Sequence, residues 1–419
     1  MKDFYFDPRM MISGPFTVCP NCDQEEFGIL LIRDRSYCRR CKNCLFPKRN
    51  DSPVSYELPK LNKKVIYLDQ FVISNMMKVL NPETDAYKKG RTDEYWLRLF
   101  ERLDSLCKLQ LIICPDSEFH NNESIVTGFY NQLKRMYELL SSGRTFFDKD
   151  TIKRFQISKH FSNWLCGKEE EAIKLDAESI VHGNINAWTD RLIISIEMGT
   201  NVDLVDEIQN HRSQSFHALE NVFQWWHNSG ITDFNYWYKN EIESFGKAIV
   251  NEYLKHLKKL MGTAEIQSFE ELLPSSSTIL INMMQDILRE NGIKNDKDIW
   301  TKILEYFNSP KLADLPFLHL SASLFASIAR KAGAGRKKPP NRGTMNDIEM
   351  ISTLLPYCDA MFIDNECASY MGEKPFSDNI GYSTKIFSSS NKEEFMQYLN
   401  DCNCQLKIRP HRHLISGHM

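Results

Sequence analysis

The chain has 419 residues, of which 42% are hydrophobic and 26% charged, with a formal net charge of -3. That length exceeds one ordinary domain and predicts two or three globular units around a sizeable core. A balance so near neutrality excludes a coat protein held to nucleic acid by bulk charge, and leaves such binding to local patches.

The first residues, Met1-Lys2-Asp3-Phe4-Tyr5-Phe6-Asp7, lack the basic start and apolar run of a signal peptide. No apolar stretch approaches the roughly 20 residues that a membrane helix needs. A cytoplasmic location without a membrane partner is expected. Of the 12 cysteines, five fall between Cys19 and Cys44. A reducing compartment with one metal site accounts for this better than a disulfide framework.

Residues 1–50 read as a zinc ribbon. Cys19-Pro20-Asn21-Cys22 is followed by the strand-like Phe27–Ile32 and then by Cys38-Arg39-Arg40-Cys41-Lys42-Asn43-Cys44. Two Cys-x-x-Cys knuckles supply four thiolates for a tetrahedral structural zinc, whose binding would provide the folding energy of so small a unit. Cys41 and Cys44 are the preferred second knuckle, with Cys38 as the alternative ligand. The nearby basic residues, such as Arg39, Arg40 and Lys42, either face phosphate or form a solvated rim. Residues 51–64, with two prolines, read as a linker.

Val65-Ile66-Tyr67-Leu68 then runs into Asp69-Gln70-Phe71. So short and continuous an apolar run predicts a strand buried on both faces of a parallel sheet. Its aspartate falls at the C-terminal end, where open α/β sheets place ligands. A helix is predicted around Tyr95–Cys107 and a second strand over Leu109–Cys114. The latter runs through Pro115 into Asp116-Ser117-Glu118-Phe119-His120-Asn121-Asn122-Glu123. Asp116 or Ser117 can cap the helix that starts here. His120 and Glu123 share a helical face, although a lone helical histidine is more often a packing or surface residue.

From Ile125 to about Arg330 the pattern is helical, with clear periodicity over Tyr130–Leu140 and Ile242–Leu260. Trp225, Trp226 and Trp237 read as core or interface aromatics. Arg154 and His160 have the spacing of a second, all-helical nuclease class (the HEPN type), but Phe155 stands where a polar residue is usual. Residues 333–343 form a Gly/Pro-rich loop carrying Arg336, Lys337, Lys338 and Arg342, without the order of a phosphate-binding P-loop. Thr344-Met345-Asn346-Asp347 then opens a helix, and the Thr-x-x-Asp spacing gives Asp347 a capping-box explanation. Asp359 and Asp364 bracket a further apolar strand, Ala360-Met361-Phe362-Ile363. A last strand and helix follow over Thr384–Ser388 and Lys392–Leu399.

Acids thus recur where strands end or helices begin: Asp69, Glu118, Glu123, Asp347, Asp359 and Asp364. Each alone can be a helix cap. Together they can bind Mg²⁺ or Mn²⁺ for phosphodiester hydrolysis, which needs several carboxylates converging on the ions. At these residues the chain resembles the PIN-domain family of metal-dependent nucleases. The pieces are Tyr67-Leu68-Asp69, the acids Glu118 and Glu123, Asn346-Asp347-Ile348-Glu349, and Cys358-Asp359 through Ile363-Asp364. The resemblance implies a parallel sheet flanked by helices, with Asp69, Asp347 and Asp364 as metal-binding acids; Asp359 is a further expected ligand of the Mg²⁺ or Mn²⁺. Glu118 or Glu123 would be the second acid of the set. It departs from the family in Gln70, where threonine or serine followed by asparagine is common, and in about 200 residues separating the second and third acids.

The expected organisation is therefore an α/β protein. A PIN-like core would span residues 65–124 and 336–404, interrupted by an all-α insertion over 125–335, with a flexible tail from 405 to 419. The expected activity is a metal-dependent endoribonuclease, with RNA as partner through Arg336, Lys337, Lys338 and Arg342. By analogy such an enzyme acts as a toxin or defence effector. The rival is an inactive adaptor of the same fold that binds RNA or a protein. The helical insertion offers a surface for a protein partner or a second copy of the chain.

Overall fold

Four short strands come first in the chain: β1 (Ile12–Thr17), β2 (Phe27–Ile32), β3 (Arg35–Cys38) and β4 (Cys44–Phe46). They pair antiparallel in sequence order. Beyond these backbone segments, the computed structural model describes residues 61–168, 173, 175–189, 202–263 and 272–407. The expected zinc ligands Cys19, Cys22 and Cys41, and the side chains of Cys38 and Cys44, lie outside the described residues.

The main sheet begins at β5 (Lys64–Leu68), whose side chains alternate between two apolar layers. Ile66 and Leu68 pack with α1 (Gln70–Leu80), α3 (Tyr95–Lys108) and, from the far end of the chain, α15 (Lys392–Lys407). Val65 and Tyr67 face the opposite layer, described below. Removing such side chains from water stabilises the fold by roughly 1.5–3 kcal/mol each, which is why the run carries no polar residue before Asp69. The short α2 (Asp85–Lys88) bridges the first two of these helices.

The second strand is shorter than its apolar run. Leu109 ends α3 by donating to Ser105 O, and Gln110 turns into the left-handed region at φ 63°. Gln110 is held there by hydrogen bonds with Thr189. Only β6 (Ile112–Ile113) remains extended and pairs parallel with β5. Then come α4 (Glu118–Ser124), α5 (Tyr130–Ser141), β7 (Thr145–Phe146), α6 (Lys149–Leu165), β8 (Val181–His182), α7 (Val202–Ser229) and α8 (Phe234–Leu260). They are followed by α9 (Ser276–Glu290), α10 (Asp296–Phe307), α11 (Pro316–Gly333) and α12 (Thr344–Leu354). Finally β9 (Ala360–Phe362), α13 (Asn365–Gly372), α14 (Phe376–Asn379) and β10 (Lys385–Phe387) lead into α15.

The sheet has the order β10-β9-β5-β6 with every pair parallel. The chain thus steps outward from β5 to β6, then returns to add β9 on the other side. Between β5 and β9 the direction of winding reverses, and the C-terminal ends of strands at such a point are where open α/β sheets hold ligands.

The 125–335 stretch departs from the all-α expectation, because β7 and β8 pair antiparallel within it. Nor does it stand apart from the sheet. Leu219, Phe223 and Trp226 of α7 and the inner face of α11 pack with α12, α13 and Val65 in the second apolar layer. The remaining helices build a third cluster around Ile281, Ile303 and Tyr306. Gly333 ends α11 where a side chain would meet Ile231 O at 2.1 Å, so the glycine fixes where the cationic loop departs. The tail boundary also moves, since helical backbone continues through Lys407. No helix among the described residues is long and apolar enough to cross a membrane.

Candidate metal centre

Asp69 and Asp364 leave neighbouring strands at the reversal point, where Asp69 N donates to Phe362 O at 2.9 Å. Each caps the helix that follows it. Asp69 Oδ1 accepts from Phe71 N at 3.3 Å, and Asp364 Oδ1 from Cys367 N at 2.6 Å. Capping uses one oxygen of each carboxylate, so the other stays available to a ligand. The cap and the metal ligand are therefore compatible roles.

Asp347 arrives from the first turn of α12, but not as a capping residue. Gly343 holds the N-cap position, and Asn341 Oδ1 accepts from Gly343 N and Thr344 Oγ1. With no helix end to satisfy, the Asp347 carboxylate instead meets Asp364 and the thiol of Cys367, their ligand atoms all within 4.8 Å of one another. Glu123, in the last turn of α4, is the fourth acid of the group.

Burial and neighbouring charge act on Asp69 and Asp347 together. Burial, then the charges of Glu123 and Asp364, pushes the Asp69 carboxyl up to about 7 against the pull of Phe71 N–H and His120. Burial, followed by Asp69, Asp364 and Glu123, holds Asp347 well above the usual carboxylate range. Burial raises Glu123 as well, with Arg212 and His120 opposing. The Cys367 thiol is pushed up by burial and by the neighbouring acids. Without a cation the cluster keeps protons that isolated carboxylates would release, because like charges out of water cannot all ionise.

A contrasting acid lies two residues from Asp347. Burial works against ionised Glu349 too, yet Lys153 and Lys149, each 2.6 Å from it, hold it below the usual range. Side chains two apart on a helix face different ways. One is neutralised on the packed side, while the other is left among acids.

Three residues around the cluster were not assigned to it from sequence. His120 is 3% exposed and stacks between Tyr67 and Tyr137, with ring centroids at 4.8 and 4.4 Å. Its Nε2 donates to Leu68 O at 2.8 Å, and its Nδ1 meets Asp116 Oδ1 at 2.9 Å. It thereby braces the strand end that presents Asp69. Arg212 of α7 reaches Glu123 at 3.9 Å, and its Nε is buried without a hydrogen-bond partner. Cys367 sits one helical turn beyond Asp364. The Asp-x-x-Cys spacing was readable in advance, whereas nothing local could have announced Arg212.

Other expected residues go elsewhere. Glu118 does not join the cluster: its Oε1 accepts from Lys149 N at 2.7 Å, and it lines a cavity of about 300 Å³ with Asp116, Tyr130 and Asp148. Asp359 stands at the opposite edge of the sheet, exposed, with Oδ2 accepting from Val65 N at 2.8 Å. A strand separates it from Asp364 at about 3.3 Å per residue, so it is no ligand of this cluster. Arg336 is committed to Glu366 Oε1 at 2.6 Å, Tyr370 and Lys338 O, which withdraws it from the phosphate-binding set. Lys337, Lys338 and Arg342 are exposed, with Arg342 over the Phe216 ring at 5.5 Å. Arg154 and His160 form no joint site, since Arg154 bonds Thr151 and His160 bonds the buried Tyr306 hydroxyl.

Comparison with known protein families, with curated proteins and with solved structures gave no match.

Proposed function

We propose that the chain is a PIN-like metal-dependent nuclease that hydrolyses phosphodiester bonds, with RNA as its substrate. The observation that carries this reading is the meeting of Asp347, Asp364 and Cys367 at the reversal point of the sheet, with Asp69 and Glu123 close enough for their charges, with burial, to raise Asp347. Asp69, Asp347 and Asp364 would hold a divalent cation, with Glu123 beside them. Their donor chemistry fits, since carboxylate oxygens suit Mg²⁺ and Mn²⁺ and a cation would replace the retained protons. When bound, the ion supplies Lewis-acid activation of water and neutralises phosphate charge.

The protein's own groups then have distinct tasks. Asp364 and Asp69 are fixed by their capping hydrogen bonds and present one free oxygen each. His120 keeps the β5 end in place through Leu68 O. The Arg212 side chain, 30% exposed beside Glu123, would offer the outer nitrogens of its guanidinium to a phosphate oxygen. Phe216, one turn after Arg212, carries Arg342 on its ring and offers an apolar and cationic flank for a nucleotide. A zinc ribbon over residues 1–50 belongs to the same reading. About one zinc per chain by elemental analysis of freshly purified protein would support it, and no zinc would remove it.

The decisive experiment is cleavage of single-stranded RNA and DNA with Mn²⁺, Mg²⁺ or chelator. Cleavage of RNA that requires the cation and is lost in Asp69→Asn and Asp364→Asn supports the proposal. Binding of RNA without metal-dependent cleavage in the wild type would leave only an adaptor.

A further inference from the structure

Acids gather on many protein surfaces without an ion, but here a thiol faces them. Cys367 is 0% exposed, and its sulfur makes no hydrogen bond among the described residues. Among the other described cysteines, Cys107 gives its thiol to Leu140 O at 3.5 Å. Cys367 Sγ alone points at carboxylate oxygens of both Asp347 and Asp364, within 4.8 Å. The backbone sets this up, because Cys367 N donates to Asp364 Oδ1 and draws the two side chains onto one face of α13.

We propose that Cys367 Sγ is a ligand of the same cation, making the centre a mixed oxygen–sulfur site that prefers Mn²⁺, Fe²⁺ or Zn²⁺ to Mg²⁺. This rests on the carboxylate-site reading and specifies its metal. Two carboxylates and a thiolate suit ions of intermediate softness, whereas Mg²⁺ takes hard oxygen donors and sheds water reluctantly. On binding, the sulfur–metal bond forms as the S–H proton passes to solvent, so the ligand is the thiolate. A purely structural cysteine at this position would make no distinction between cations.

The test uses the full chain with no added metal, titrated with Cd²⁺ while the ultraviolet sulfur-to-cadmium charge-transfer band is followed. Melting shifts with Mn²⁺ and with Mg²⁺ are measured in parallel for wild type, Cys367→Ser and Cys367→Ala. Any cadmium taken by cysteines elsewhere appears in every variant, so the difference isolates Cys367. The expected result is a band increment in wild type that both variants lack. The Mn²⁺-over-Mg²⁺ affinity ratio should also fall by about 10-fold or more in Cys367→Ser. The serine variant keeps the side-chain volume should the alanine cavity prevent folding. An equal increment in wild type and Cys367→Ser, or an unchanged ratio, overturns the thiol ligand and leaves the carboxylate site standing. If no cation stabilises the wild type, the carboxylate site fails, and this inference with it.

Discussion

The two edges of the parallel sheet are built from similar residues and end in opposite electrostatic states. At the C-terminal edge, Asp347 and Asp364 meet, the charges of Asp69 and Glu123 act on Asp347, and Arg212 lies 3.9 Å from Glu123. At the N-terminal edge, Asp359 is tied to Val65 N, and Lys64 and Lys385 lie over the Tyr398 ring at 5.2 and 5.0 Å. An aspartate beside a strand is thus not a site by virtue of the strand. What matters is the end it occupies and whether the opposing elements bring charge of its own sign or the other. In parallel strands the C-terminal ends meet helix starts, and there capping acids collect.

Breaking the active edge should have the largest consequences. Asp69→Asn and Asp364→Asn should each lower metal-dependent cleavage more than about 100-fold, since even residues behind metal ligands commonly cost 10–100-fold. The same loss in Asp359→Asn would erase the contrast between the edges. Metal binding supplies the second measurement. With Mn²⁺ at about 100 times its dissociation constant, folded wild type should gain about 2.7 kcal/mol, read as a higher melting temperature. Asp69→Ala and Asp364→Ala should lose most of that gain. If both keep it, the carboxylates do not share an ion.

Acidity sharpens the comparison further. The Asp69 pKa is raised from 3.8 to about 7 in the folded state. The folded protein therefore holds a proton that the unfolded chain releases, and the metal-free fold should lose stability as pH rises from about 4 to about 7. Asp69→Asn should flatten that decline in denaturant titrations. Apparent Mn²⁺ affinity should climb over the upper part of the same window, by up to about tenfold per pH unit for each proton displaced. A pH-independent affinity would mean that the cluster is already ionised.

The quiet edge should respond modestly. Asp359→Ala removes one hydrogen bond to Val65 N and should cost about 1 kcal/mol of stability, with the Mn²⁺ response intact. Smallest of all, Lys337→Ala with Lys338→Ala should reduce the salt dependence of RNA binding by roughly one unit of slope for each phosphate that the two lysines neutralise. An unchanged slope would make that loop a solvated connection.

The sequence exposed those features that short segments determine by themselves. The apolar run before Asp69, the helical period of Tyr130–Ser141 and the bracketed strand Ala360–Phe362 are local patterns, and they marked the sheet and its outgoing acids. The choice between Glu118 and Glu123 was not local, because it depends on how α4 rolls against α6 and α7, where Lys149 takes one acid and Arg212 the other. Asp359 could have been set aside in advance, because the start of a strand in a parallel sheet falls at the end opposite Asp69. Asp347 looked like a capping box, yet Gly343 takes the cap, and only the folded loop shows it.

His120 gives the cluster a mechanical property. A compliant scaffold would let the carboxylates drift apart, and the proton affinities of Asp69 and Asp347 would relax toward ordinary values. Clamped between two tyrosine rings and bonded at both nitrogens, His120 stiffens the end of β5 at Leu68. Asp69 then cannot retreat, and the repulsion is released only when a proton or a cation enters. Stiffness behind the strand thus becomes affinity in front of it.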